Sequence, residues 1–240
     1  MDLPCAREGV TMERMDGYRD YCPLSRAAEI IATRWTPLIV RNLLLGCETF
    51  SELREGAPGI SRTLLTQRLR LLEHHGVVER RESDSGRVVY GLTEAGYELA
   101  PVCAALGSWG ERWIELSPEH FDATKVMWGL SRKLDRTTLP DERTVVRFDV
   151  TSPQRESYWL LLEKPHVEVC RRPPTDRDDI VVRSAAETLV RWQLGEMSLG
   201  DAMAAGRMQV DGPLELERMV AAWGGSGTVA AFAAALAATT

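Results

Sequence analysis

A chain of 240 residues exceeds one small module, so two domains of ordinary size, each with its own core, are expected. With 44% hydrophobic and 27% charged residues, its composition is that of a folded globular protein, far from disordered, fibrous or membrane classes. A net charge of -6 works against broad nonspecific binding of nucleic acid, so any DNA contact must come from a local basic patch.

The five cysteines, Cys5, Cys22, Cys47, Cys103 and Cys170, are odd in number, scattered and never spaced Cys-x-x-Cys. That argues against a disulfide framework or a zinc site and fits a reducing cytoplasm. There is no basic-then-apolar leader and no apolar run of about 18 residues, so a cytoplasmic protein without membrane contact is expected.

Residues 1–20 lack periodicity and read as a flexible arm. Helical spacing of Leu24, Ala27, Ala28 and Ile31 opens the order, and Thr36-Pro37 then reads as an N-cap with proline at the first helical position. Gly46 ends that helix, the capping box Thr49-Phe50-Ser51-Glu52 starts a short third one, and Pro58-Gly59 closes it. Ser61 caps a fourth helix, with a core stripe of Leu65, Leu69 and Leu72, stopped by Gly76. Residues 77–82 and 87–92 flank Ser83-Asp84-Ser85-Gly86 as a hairpin with basic flanks, and Thr93 caps a long helix predicted over 94–116.

Ser117-Pro118 marks the boundary to a second domain, which opens on a helix carrying Phe121, Met127, Leu130 and Leu134. Strands are predicted over 144–150, 158–162, 167–170 and 180–183. A capping box at Ser184-Ala185-Ala186-Glu187, a short helix from Ser198, a strand over 208–210 and a helix ending near Trp223 follow. The domains are thus an arm, 1–20; a first domain, 21–117; a second domain, 118–223; and a Gly/Ala-rich tail, 224–240.

Three short helices, a hairpin and a further helix are the order of an α+β winged helix-turn-helix, whose second helix-turn-helix element enters the major groove. With the leucines of the fourth helix inward, Thr63, Thr66, Gln67 and Arg70 share the opposite face, with Ser61 and Arg62 at its start. Gln67 can pair with an adenine edge, Thr66 can meet thymine, and Arg62 or Arg70 can meet guanine or phosphate. Arg80, Arg81 and Arg87 of the hairpin would add backbone contacts. The competing reading is an amphipathic helix whose polar face is merely solvated.

Cys22-Pro23, Arg34-Trp35, Phe50-Ser51-Glu52-Leu53, Gly59-Ile60-Ser61, Leu65-Thr66-Gln67-Arg68-Leu69, Leu72-Glu73, Gly76-Val77-Val78 and Tyr90-Gly91-Leu92-Thr93-Glu94-Ala95-Gly96 together resemble the HxlR family of MarR-like regulators over residues 20–115. The resemblance implies a repressor that binds a palindromic double-stranded operator as a homodimer, built from the first and last helices of this domain. Leu24, Ile31, Val102, Leu106, Trp109 and Trp113 are the seam candidates, the alternative being packing within their own subunit. Many members carry a cysteine where Cys22 stands, and some sense oxidants or electrophiles with it. Arg19 and Arg26 would favour its thiolate, whereas a plain packing role is the alternative. The family often has a proline in the wing, where this chain has Asp84-Ser85-Gly86.

Residues 118–223 resemble the sterol carrier protein family, chiefly through Leu189 to Gly195 and Asp201-Ala202 to Gly212. That implies an α+β sheet-and-helix domain enclosing an apolar tunnel for a small-molecule effector. Phe121, Trp128, Tyr158, Leu160, Leu162, Trp192 and Met208 are the pocket candidates, and a solid core is the alternative. Tyr158-Trp159-Leu160-Leu161-Leu162 is apolar on both strand faces, as expected if one meets helices and the other a cavity. His166 and Cys170, four apart on one strand, lie too far apart for a nucleophile and its base. No catalytic site, cofactor or metal is expected.

Overall fold

The computed structural model describes residue 18 and residues 20–225. Apart from Tyr18, Asp20, Gly224 and Gly225, the expected arm and tail lie outside the described residues.

The first core is enclosed by α1 (Pro23–Ile31), α2 (Thr36–Leu44), α3 (Phe50–Glu55), α4 (Arg62–His74), the hairpin β1 (Val78–Glu82) and β2 (Val88–Leu92), and α6 (Ala100–Trp113), with α5 (Glu94–Tyr97) between hairpin and α6. Ile39, Leu53, Leu65 and Leu72 are fully buried there. Local signals set the helix starts: the Thr49 hydroxyl accepts the Glu52 amide at 3.3 Å, and the Glu52 carboxylate accepts the Thr49 amide at 2.9 Å. At α4 the Ser61 hydroxyl accepts the Leu64 amide at 3.2 Å.

Two expectations change here. Thr36 is the first residue of α2 rather than its cap, its hydroxyl bonded to that of Thr33 at 2.7 Å. The cap is Trp35, held at φ 79°, a region that bulky side chains rarely occupy. The single helix predicted over 94–116 is broken into α5 and α6, because Pro101 has no amide hydrogen and its ring excludes the carbonyl of Tyr97.

The second core lies between a five-stranded sheet and helices. The strands are β3 (Thr144–Val150), β4 (Glu156–Glu163), β5 (His166–Cys170), β6 (Ile180–Ser184) and β7 (Met208–Asp211), in the order β5-β4-β3-β6-β7, with β3 and β6 parallel. The helices are α7 (Ala123–Lys133), α8 (Ala186–Leu194), α9 (Leu199–Ala204) and α10 (Leu214–Ala221). Ser117-Pro118 opens only a 3-10 turn, Pro118–His120, and Asp122 caps α7 by accepting the Thr124 amide at 2.9 Å, so Phe121 precedes that helix. The expected box at Ser184 is absent: Ser184 ends β6 and its hydroxyl donates to the carbonyl of Arg207 at 3.2 Å, leaving Ala185 as the α8 cap.

The two cores meet where α7 lies against α2 and α3. Trp128 packs on Gly56 with the Arg41 guanidinium 5.4 Å from its ring, and Arg132 pairs with Glu52 at 3.1 Å. A Cβ on Gly56 would stand 2.5 Å from Trp128 and would also meet the Asn42 amide. Gly56→Ala is therefore expected to cost about 2 kcal/mol through overpacking and to speed proteolysis between residues 114 and 122, read by thermal melting and limited digestion. Unchanged melting and digestion would show that this contact does not join the cores.

Candidate nucleic-acid interface

Leu65, Leu69 and Leu72 are at most 1% exposed, so α4 is held by one side only. Ser61, Arg62, Thr63, Gln67 and Arg70 stand exposed at its start and along its other side, and Thr66 is half-buried between the two. The Thr66 hydroxyl donates to the carbonyl of Arg62 at 2.9 Å, so it keeps its lone pairs and methyl, not its proton, for a base edge. Arg68, absent from the expected set, turns back to donate to the carbonyl of Arg34 at 3.3 Å and anchors α4 to the start of α2.

Strand alternation divides the wing arginines. Arg80 and Arg81 are both exposed but lie opposite Tyr90 and Val89 on different faces of the ribbon, and Glu79 sits 3.4 Å from Arg81. Arg80 carries the less compensated charge. The turn that lacks the family's proline is closed by the amides of Ser83 and Gly86, donating to the carbonyls of Arg87 and Ser83 at 2.8 Å. Gly86 at φ 74° supplies the left-handed residue, and Arg87 leaves the turn exposed.

On the side of α6 away from the core, Val102, Leu106, Trp109 and Trp113 are 42%, 52%, 58% and 63% exposed. Leu24 of α1 is also exposed, α1 has no buried residue, and Ile31 is half-buried against the first core. Cys22 is the N-cap of α1, and the amides of Ser25 and Leu24 hold its thiol below the usual range. Arg26 is not among the groups that lower the Cys22 thiol, and Arg19 lies outside the described residues. Burial instead pushes Cys47 up to about 11 and raises Cys103.

In the second domain, Tyr158, Leu160, Leu162, Trp192 and Met208 are at most 1% exposed and interlock with α7 to α9 as core. Phe121 packs at the edge of this core with Arg191 over its ring, and Trp128 faces the first domain. The opposite sheet face carries Trp159, Leu161 and Val145, buried together, with the Trp159 indole donating to Asp178 at 2.8 Å. On β5, His166 is exposed and Cys170 half-buried, the latter raised by burial and by Glu168.

The HxlR-like helix-turn-helix family model matches residues 30–118, and the HTH-type transcriptional regulator YvaP of Bacillus subtilis is 38% identical over 101 residues, 41% of this chain and 94% of YvaP. The chain belongs to the HxlR-like family. Another relative, the HTH-type transcriptional regulator sll1512 of Synechocystis, is 35% identical over 96 residues, 39% of this chain and 71% of that protein. The reduced form of the transcriptional regulator YodB from B. subtilis is 34% identical, covering 39% of this chain and 95% of YodB at a TM-score of 0.36. The SCP-2 sterol transfer family model matches residues 133–222. This HxlR-like chain is thus a DNA-binding transcription regulator with an appended SCP-2 domain. Among its described residues no helix is long and apolar enough to cross a membrane, and no three His, Cys, Asp or Glu side chains group as metal ligands.

The thiols give a direct check on the helix-cap geometry of Cys22. In the folded chain at neutral pH, iodoacetamide should label Cys22 at least tenfold faster than Cys47 or Cys103, as read by peptide mass spectrometry. Labelling of Cys47 at a comparable rate would contradict the burial described above.

Proposed function

We propose that this chain is a cytoplasmic dimeric repressor that reads a palindromic operator with α4 and clasps the flanking backbone with its wing. The observation that carries this is the division of α4 into a leucine face buried at 1% or less and a polar face, free of acid from Arg62 to Arg70, that is open to solvent. Ser61, Arg62, Thr63, Thr66, Gln67 and Arg70 are assigned to the major groove, and Arg80, Arg81 and Arg87 to phosphates. The seam is assigned to α1 and α6: Leu24 on the one and Val102, Leu106, Trp109 and Trp113 on the other are large apolar side chains left exposed, which a second copy would take out of water, with Ile31 partly buried in α1. The second domain is assigned the binding of an apolar effector rather than catalysis.

A thiol-sensing role is the second reading, favoured by the position of Cys22 at the α1 terminus beside that seam, where oxidation would alter the helix start.

Gln67→Ala or Arg62→Ala is expected to weaken specific binding by about 1–3 kcal/mol with unchanged melting temperature, measured by titration of operator against scrambled duplex. Arg80→Ala should weaken both duplexes alike and flatten the salt dependence. Specific binding that survives the α4 substitutions would remove this helix from the groove.

Leu106→Glu places a charge in the middle of the seam, and burying an unpaired carboxylate is strongly unfavourable. Because Leu106 is 52% exposed in the lone chain, the variant should fold and sediment as a monomer. A folded, fully dimeric variant would exclude α6 as the seam.

A further inference from the structure

A cleft of about 880 Å³ runs between α2 and α3 of the reading domain and α7, β5 and α8 of the second, within the roughly 300–1,000 Å³ of small-molecule sites. Leu38, Leu45 and Pro58 supply apolar lining from one domain, and Val169, Val190 and Leu194 from the other. Three hydrogen-bond donors of lining residues, Trp128 Nε1, Arg132 Nε and Gln193 Nε2, are buried without an acceptor among the described residues. An indole, guanidinium or amide N–H can only donate, and a buried donor left unpaired is unfavourable, so the group that completes them must accept.

Charge points the same way. Five cations, Arg41, Lys125, Arg132, Lys133 and Arg171, line the cleft against the three carboxylates of Glu55, Asp122 and Glu168, and Arg132 also shares the carboxylate of Glu52. Burial, reinforced by the Arg41 charge, pushes Lys133 down to about 8 against the opposing pull of Glu111. Trp35, the one described non-glycine residue at positive φ, also lines this cleft. Strained residues of this sort gather at ligand clamps.

We propose that this interdomain cleft binds a carboxylic acid with an apolar body, the carboxylate meeting the unpaired donors beside the Arg41 and Arg132 guanidinium groups and the body lying along the leucine and valine walls. The proposal rests on the effector-binding role given above to the second domain, and it moves the site from that domain's interior to its junction with the DNA-reading domain. Ligand there touches both sides of the Trp128 and Gly56 contact, so occupancy and the placement of α3, one turn before the recognition helix, are linked.

The test is calorimetric titration of the full chain with decanoate, 1-naphthoate and 1-decanol, with operator affinity measured on the same samples. Both acids, or one of them, should bind at least tenfold more tightly than the alcohol. Gln193→Leu, in the second domain, and Leu38→Asn, on the partly exposed face of α2 in the first, should each weaken the acid about tenfold while thermal melting stays cooperative. Two variants on opposite walls keep the test decisive if either fails to fold. Acid binding that neither folded variant weakens would place the ligand inside the second domain and overturn the cleft. Equal binding of alcohol and acid would overturn the carboxylate. Operator binding without any acid binding would overturn the proposal and leave the regulator standing, whereas acid binding that follows this pattern without operator binding would do the reverse.

Discussion

Helix α4 is gripped by one face, and the rest of the first core serves that grip. Leu65, Leu69 and Leu72 sink into a core built by Ile39, Val40 and Leu53, which fixes the rotation of α4 about its own axis. Rotation decides which side chains face outward, and a helix turned by one residue, about 100°, would present Arg68 where Gln67 now stands. The bond from Arg68 to the carbonyl of Arg34 resists that turn from outside the core.

The second domain leans on the same scaffold. Glu52 closes the α3 capping box and also receives Arg132 of α7, so one carboxylate serves helix initiation and domain docking. Burial opposes ionisation of Glu52, but the amides of Thr49 and Glu48, the Thr49 hydroxyl and Arg132 outweigh it and hold its carboxyl below the usual range. Arg41 works similarly: its guanidinium spans the Asn42 side chain, the carbonyl of Gly56 and the Trp128 ring, joining α2, the end of α3 and the neighbouring domain.

Periodicity and capping residues made most elements legible in the sequence. The leucine stripe of α4, the Thr49 box and the strand from Thr144 to Val150 carry complete local signals within a few residues. Failures arose where a local signal met a stronger one. Thr93 can start a helix, but Pro101 forbids its uninterrupted continuation, and Ser184 could cap α8 but is claimed by the strand and the carbonyl of Arg207. Of the candidate DNA contacts, the face of α4 could be read from spacing, while the separation of Arg80 from Arg81 needed only the two-residue strand period applied to the hairpin. The junction left no trace in the sequence because Arg41, Gly56 and Trp128 are distant in the chain and ordinary in composition. Trp35 at positive φ was equally hidden, since nothing in its neighbours calls for glycine.

The seam proposed on the exposed stripe of α6 would also set how the protein responds to its own abundance. With Leu106, Trp109 and Trp113 as the seam, a lone chain is a reading head without its twin, and half-sites about 34–36 Å apart reward only the pair. Below the concentration at which the seam closes, operator occupancy then grows with the square of chain concentration rather than in proportion to it. Under the proposed repression, a target gene would be released abruptly as the protein is diluted by growth.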